Sequence, residues 1–288
     1  RGQVHGQEAA MWRIFLHAKN LAEKGRIDKF ILLHGPNGSA KTSLVEAIIR
    51  GLEHYSQTSE GALYTFAWIF SERYEGTRLG FDSSNQSAQG DSYAYLPPED
   101  ISCRISCGLH DSPIFLIPRE FRLEFLRRAS RERGRTLKMT EYVLDGELCQ
   151  KCRTIFEKML SAYQGDWERV LQHVQVERYF ISKRFRRGAV TIDPQRNVDA
   201  ASRPTFPDRN AYVPPILAHS NLWEPFGDVP DANGGILEFS DFLKRPPEAN
   251  KYLLTTVEKS TINLPNFMAH LNMVMFGTSN EFHLTAFK

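Results

Sequence analysis

Long apolar runs are missing from this chain. The longest, 62–70 with Thr65 inside it, falls far short of the ~20 residues that a membrane-spanning helix requires, so no membrane partner is expected. Cysteine is scarce. Four in 288 residues do not make a disulfide scaffold, and a reducing, cytoplasmic location is the expectation. Neither sign of charge is in excess: 36 Lys and Arg stand against 34 Asp and Glu, a net +2. Bulk electrostatics therefore argues for neither nucleic acid nor a membrane surface, and any basic patch must be local. No internal repeat is found. At ~150 residues per domain the length allows one large domain or two modest ones.

What is present is one stretch around which the rest is organised, Ile31-Leu32-Leu33-His34-Gly35-Pro36-Asn37-Gly38-Ser39-Ala40-Lys41-Thr42. An apolar strand runs into a glycine-rich loop that ends in Lys-Thr and opens a helix, the pattern of a phosphate-binding loop. Small residues let successive backbone N–H groups point inward around a phosphate, and the helix N-terminus adds positive potential. Gly35, Pro36, Asn37, Gly38, Ser39, Ala40, Lys41, Thr42 and Ser43 are the expected nucleotide-binding residues. Lys41 reaches the β- and γ-phosphates in this reading, and the Thr42 hydroxyl is placed on Mg2+. Ala40 stands where the usual motif has its second glycine. The Ala-Lys-Thr ending resembles loops of AAA+ ATPases, which implies bound ATP.

Around this centre, 7–24 carries apolar residues at helical spacing, and 41–53 continues the loop into a helix. The segment 62–70 is a strand rich in aromatics, and 80–100 has the Ser, Gly, Asn, Gln and Pro composition of a surface loop. Helices are expected over 119–131, 147–163 and 166–173. A strand follows at 174–182, with 188–192 as its hairpin partner. From 193 to 231 the chain reads as a long irregular excursion. Strands return at 234–239, followed by a helix through 241–244, and at 271–276. The expected fold is an α/β AAA+ P-loop core spanning 1–288, a parallel sheet with flanking helices, with a partly helical and hairpin insertion over 100–192.

A P-loop enzyme needs an acid at the tip of a neighbouring strand to hold Mg2+ and another to orient the nucleophile. The stretch Ile236-Leu237-Glu238-Phe239-Ser240-Asp241 supplies the candidates, Glu238 for the metal side and Asp241 for the base. Asn280, in Thr278-Ser279-Asn280 after an apolar strand, is the candidate for orienting the water or the phosphoryl acceptor. Lys41, Glu238, Asp241 and Asn280 form the expected catalytic set.

Three blocks, Leu116-Ile117-Pro118-Arg119, Gly146-Glu147-Leu148-Cys149-Gln150-Lys151-Cys152-Arg153 and Ala232-Asn233-Gly234-Gly235-Ile236-Leu237-Glu238-Phe239, resemble the bacterial PrkA serine protein kinases in content and order. The resemblance implies an AAA+ module followed by a smaller carboxy-terminal domain to which kinase activity is attributed, a protein substrate with a serine acceptor, and a ring of identical subunits. It also implies that the arginine finger, the last core strand and the helical lid lie beyond Lys288, so that this chain is an AAA+ module truncated before its lid. His-Arg-Asp and Asp-Phe-Gly are absent, so phosphotransfer by a eukaryotic-type kinase fold is not expected.

Cys107-Gly108-Leu109-His110 and Cys149-Gln150-Lys151-Cys152 form a C-x-x-H and C-x-x-C pair, a spacing that suits a structural zinc held by Cys107, His110, Cys149 and Cys152. Cys103 is a substitute for His110, and buried thiols without metal are the plain alternative. Two basic runs, 119–138 and 183–187, make a nucleic-acid motor a rival function, against ordinary solvated faces. His219-Ser220 has no nucleophile elbow around it and stays a loop histidine.

Overall fold

The computed structural model describes residues 6–25, 29–72, 92–134, 136–195, 200–206, 212–246, 251–282 and 284. In chain order the elements are α1 (Glu8–Lys24), β1 (Phe30–Gly35), α2 (Lys41–Gln57), β2 (Leu63–Phe70), β3 (Cys103–Ser106), α3 (Arg119–Glu132), α4 (Glu141–Asp145), α5 (Gln150–Ala162), α6 (Trp167–Gln172), β4 (Val174–Tyr179), β5 (Ala189–Ile192), β6 (Ala201–Pro204), β7 (Trp223–Phe226), α7 (Asp228–Asp231), β8 (Ile236–Phe239), α8 (Lys251–Lys259), β9 (Thr261–Leu264), β10 (Phe267–His270) and β11 (Val274–Asn280). Much of the loop expected at 80–100 lies outside the described residues; from Ser92 it forms two short 3-10 turns.

A parallel sheet in the order β1-β11-β8-β5 forms the centre. Side-chain alternation along β8 decides what each face meets. Ile236 shares its face with Phe276, Ala189 and Ile31 and packs on Ile14 of α1 and on Leu44, Val45 and Ile49 of α2. Leu237 and Phe239 point the other way, into a larger core with Val190, Ile192, Met275 and the α5 residues Cys152, Ile155 and Met159. Glu238 therefore lies on the α2 face of the sheet.

The larger core is closed by an antiparallel sheet, β3-β2-β4. Every residue of β2 from Thr65 on is buried, because both faces are covered. Phe66, Trp68 and Phe70 enter the main core, while Ala67 and Ile69 meet Tyr93, Leu96 and Ile101. The inserted segment thus shares one continuous core with the parallel sheet.

Several expectations from sequence change here. Residues 188–192 are not the hairpin partner of 174–182. β4 pairs with β2, and β5 pairs in parallel with β8; a lone bridge between Ser182 and Arg187 is what remains of the hairpin. The last strand does not open after Phe276 but continues through Gly277-Thr278-Ser279 to Asn280, which lies beside Gly35. A β carbon on Gly277 would meet the Phe30 ring at 2.6 Å, so glycine there allows the neighbouring strand's ring to cross. The excursion at 193–231 contains the antiparallel pair β6–β7 and the short α7. Among the described residues no helix is long and apolar enough to cross a membrane.

Candidate functional site

β1 ends at Gly35, and the loop Pro36–Ala40 hands the chain to α2 at Lys41. Gly38 has φ 82° and Ala40 φ 61°, both left-handed. Glycine adopts that conformation freely, whereas Ala40 holds it against the contact of its β carbon with the backbone. The Lys41 amine folds over the loop, donating to Gly35 O at 2.8 Å, Pro36 O at 2.8 Å and Ser39 Oγ at 3.2 Å. Thr42 and Ser43 are exposed on the first turn of α2.

The parallel register brings the carboxyl end of β11 to the same edge. Asn280 Nδ2 donates to Asn37 Oδ1 at 3.0 Å, so the β11 amide touches the loop directly. Asn280 Oδ1 in turn accepts from the Phe282 N–H at 3.3 Å, which sets the amide's orientation. Thr278 Oγ1 accepts from the Asp241 N–H at 3.2 Å. Asp241 itself has φ 45° and pairs with Lys244 Nζ at 2.6 Å. Glu238, one residue short of the end of β8, is almost wholly buried. Its Oε2 accepts from Thr191 Oγ1 at 2.8 Å and lies 3.9 Å from Lys183 Nζ. Burial pushes the Glu238 carboxyl above its ordinary range, with the Thr191 hydrogen bond and Lys183 opposing the shift.

Beside the loop, between α1 and β1, lies a cleft of ≈ 560 Å³. Arg13, His17 and Lys29 line it together with the apolar Ile14 and Ile31. Sequence reasoning missed these cleft residues because α1 reads only as a packing helix, and it missed Thr191 and Lys183 because nothing local marks them as neighbours of Glu238.

A second cluster sits elsewhere. Cys107, Cys149 and Cys152 come together as the spacing suggested, but Asp111 is the fourth group they meet, with one donor atom from each residue within 4.8 Å of the others. His110 has φ 55°, and this left-handed turn carries the chain round so that the Asp111 N–H donates to Cys107 Sγ at 3.2 Å. The His110 ring stacks on Tyr179 instead, centroids 4.7 Å apart. Cys103 lies on β3, paired opposite Phe70. Burial pushes the Cys107 thiol up, but hydrogen bonds from Cys149, Cys152 and the Asp111 N–H outweigh it and hold Cys107 well below its ordinary range. Those same bonds, with burial, push Cys149 and Cys152 up; burial and the Cys107 charge push Asp111 up. The acid next to the C-x-x-H spacing was the signal available for Asp111.

Part of the basic character of the two runs is taken up within the fold. Arg122 is buried and donates to the carbonyls of Ile117, Val143, Leu144 and Gly146. Arg119 pairs with Asp145 and Glu147, Lys183 with Glu46 and Glu238, and Arg186 with Asp228 and Asp231.

Fold and site together define a mixed α/β protein whose central parallel sheet and flanking helices are compatible with a P-loop-like core. Among known proteins, the chain is 23% identical over 277 residues to the ATP-dependent protease PrkA of Bacillus subtilis (strain 168). The match covers 92% of this chain but 34% of that protein, so the chain spans about a third of its relative's length. No protein-family profile matches the chain.

Proposed function

We propose that this chain is the ATP-binding module of a PrkA-like protein, an AAA+ type P-loop unit that transfers the γ-phosphoryl group of Mg-ATP in line to an acceptor. The observation that carries the reading is the Lys41 amine seated on the Gly35–Ser39 loop, with Asn37 of that loop bonded to Asn280 of the adjacent strand. The position of β11 between the loop-bearing strand and the strand of Glu238 supports the AAA+ assignment, since that class places a polar residue between its first acidic strand and the γ-phosphate.

The donors present suit a triphosphate. The backbone N–H groups from Asn37 to Lys41 and the α2 N-terminus offer positive potential, and Lys41 adds a full charge that leaves its loop carbonyls for the β- and γ-phosphates. Thr42 would hold Mg2+ and Glu238 would support it on the metal side; Mg2+ would supply charge neutralisation at the phosphates. Asp241 is the base that orients the nucleophile, and Asn280 positions the γ-phosphate against it. The cleft between α1 and β1 takes the base and ribose. Catalysis in this scheme is positioning and electrostatics.

The acceptor is a protein serine in the kinase reading that the PrkA-like blocks support. Water is the acceptor in the second reading, an AAA+ remodeller, which the protease name of the B. subtilis relative favours. A ring of subunits completes the site in both. Incubating the full-length protein and Lys41→Ala with γ-phosphate-labelled ATP, and scoring label on protein serine and free phosphate together, tests the proposal. Label on serine that vanishes in the variant supports the kinase. Free phosphate without protein label removes the kinase reading and leaves the remodeller. Failure to bind ATP at all overturns the module.

A further inference from the structure

We propose that Cys107, Asp111, Cys149 and Cys152 bind one zinc ion, in a closed structural site that pins the 107–111 turn to the start of α5 beside the amino-terminal edge of the parallel sheet. This inference is independent of the nucleotide reading. It begins with distance. Tetrahedral zinc with bonds of about 2.3 Å to sulfur requires ligand atoms roughly 3.8 Å apart. The Cys107 and Cys149 sulfurs stand 4.0 Å apart, and all four ligand atoms lie within 4.8 Å of one another, so shifts of less than about an ångström close the tetrahedron. Thiolate-rich sets select zinc over hard cations such as Mg2+, and four protein ligands leave no open position for catalysis.

Backbone amides of the cluster's own residues already orient the ligands. The Asp111 N–H reaches Cys107 Sγ, and the Cys149 N–H donates to Asp111 Oδ2 at 2.8 Å, fixing the carboxylate against the start of α5. Zinc binding releases the thiol protons to solvent. Three thiolates and a carboxylate then outnumber the two charges of the ion. Lys151 lies between the two α5 ligands in sequence, is buried, and holds Ser106 O and Glu224 Oε2 at 2.8 Å each, so a fixed positive charge offsets part of that excess.

Position in the fold says what the site is for. Leu109 O, inside the Cys107–Asp111 turn, accepts from Asn233 Nδ2 at 2.7 Å, and Asn233 Oδ1 accepts from the Asn272 N–H at 2.7 Å. Asn233 and Asn272 stand just before β8 and β11, at the amino ends of the parallel strands, whereas the loop of Gly35 to Lys41 is at the carboxyl end of β1. A metal here is at the opposite edge from the proposed nucleotide site and joins the 107–111 turn to α5, while the Leu109–Asn233–Asn272 hydrogen bonds tie that turn to the two core strands. Asp111 and Cys149 border a cleft of ≈ 290 Å³, which gives the ion a path in.

The test is zinc content of the chain purified without a metal-affinity column, before and after reconstitution with zinc chloride and desalting. One equivalent is expected in the unaltered chain and in Cys103→Ser, and at least about tenfold less in Cys149→Ser. That last variant places serine, a favoured capping residue, at the N-cap of α5, so the helix start is preserved while the sulfur is lost. Cobalt loaded into the unaltered chain should give the thiolate charge-transfer and d–d bands of a tetrahedral site, a readout that needs no variant to fold. Less than a tenth of an equivalent of zinc after reconstitution, no tetrahedral cobalt spectrum, or full zinc retention by Cys149→Ser overturns the proposal.

Discussion

Lys41 is held by three acceptors of its own loop, all of which a phosphate oxygen can replace without moving the backbone. Its removal therefore costs charge and little fold. Lys41→Ala is expected to lower ATP turnover by about 10²–10³-fold, the scale for losing one donor aimed at developing charge, while leaving the melting temperature nearly unchanged; steady-state phosphate release and thermal unfolding check both. Glu238 behaves oppositely. Its folded pKa is raised by burial, so the native state binds more protons than the unfolded chain between the ordinary Glu range and the raised value. Stability contributed at this position is present below the unfolded pKa and falls as pH rises through the folded one. Glu238→Gln is thus expected to melt higher than the parent at neutral pH, with the difference vanishing in acid, and to lose Mg-dependent turnover. A lower melting temperature at neutral pH would show that Lys183 and Thr191 more than offset the burial. The sequence made Lys41 and Glu238 visible, because each sits in a local pattern of strand and loop. Thr191 and Lys183 had no such marker: Thr191 reaches Glu238 through a strand pairing that spans 47 positions, and Lys183 from the turn ahead of β5.

At the scale of elements, legibility follows the range of the forces. α1, α2 and α5 were readable to within a few residues from apolar periodicity, α3 from the proline that starts it, and β2 from its aromatic run, because burial of one stripe or one strand and a helix-start residue are written locally. Pairing is not. The segment 188–192 reads as a hairpin partner by proximity, yet β5 is short and largely buried on both faces, as a strand inside a parallel sheet is, and β2 takes β4 instead. Arg122 is a related case, since one residue of a basic run turns out to organise two helices. Its guanidinium donates to Ile117 O from both Nε and Nη2 and to three carbonyls at the end of α4 from Nη1. Arg122→Ala is expected to cost about 3–5 kcal/mol, because it removes five hydrogen bonds at once and leaves four partly buried carbonyls without this partner. Arg122→Lys should recover less than half of that, since an ammonium cannot span the same fork. Chemical denaturation of both variants measures the pair, and equal stability of the lysine variant and the parent would remove the argument from geometry.

Across the whole molecule the parallel sheet separates the two proposed sites. At the carboxyl ends of its strands lie Lys41, Asp241 and Asn280, and at the amino ends lie Asn233, Asn272 and the cysteine cluster they support. Ligands at opposite edges of a rigid, commonly packed core contribute additively when neither alters the other's contacts. Mg-ATP at 100 times its dissociation constant should stabilise the native chain by about 2.7 kcal/mol through mass action, and the increment should disappear in Lys41→Ala at the same concentration. Cys149→Ser should lower the starting melting temperature yet keep the full nucleotide increment, since α5 touches the sheet face opposite to α2. Thermal unfolding of the three proteins with and without Mg-ATP reads both terms. Loss of the increment in Cys149→Ser would mean that the clasp at the amino edge also sets the geometry of the loop at the carboxyl edge, through β8 and β11, and the two ends would then have to be treated as one coupled site.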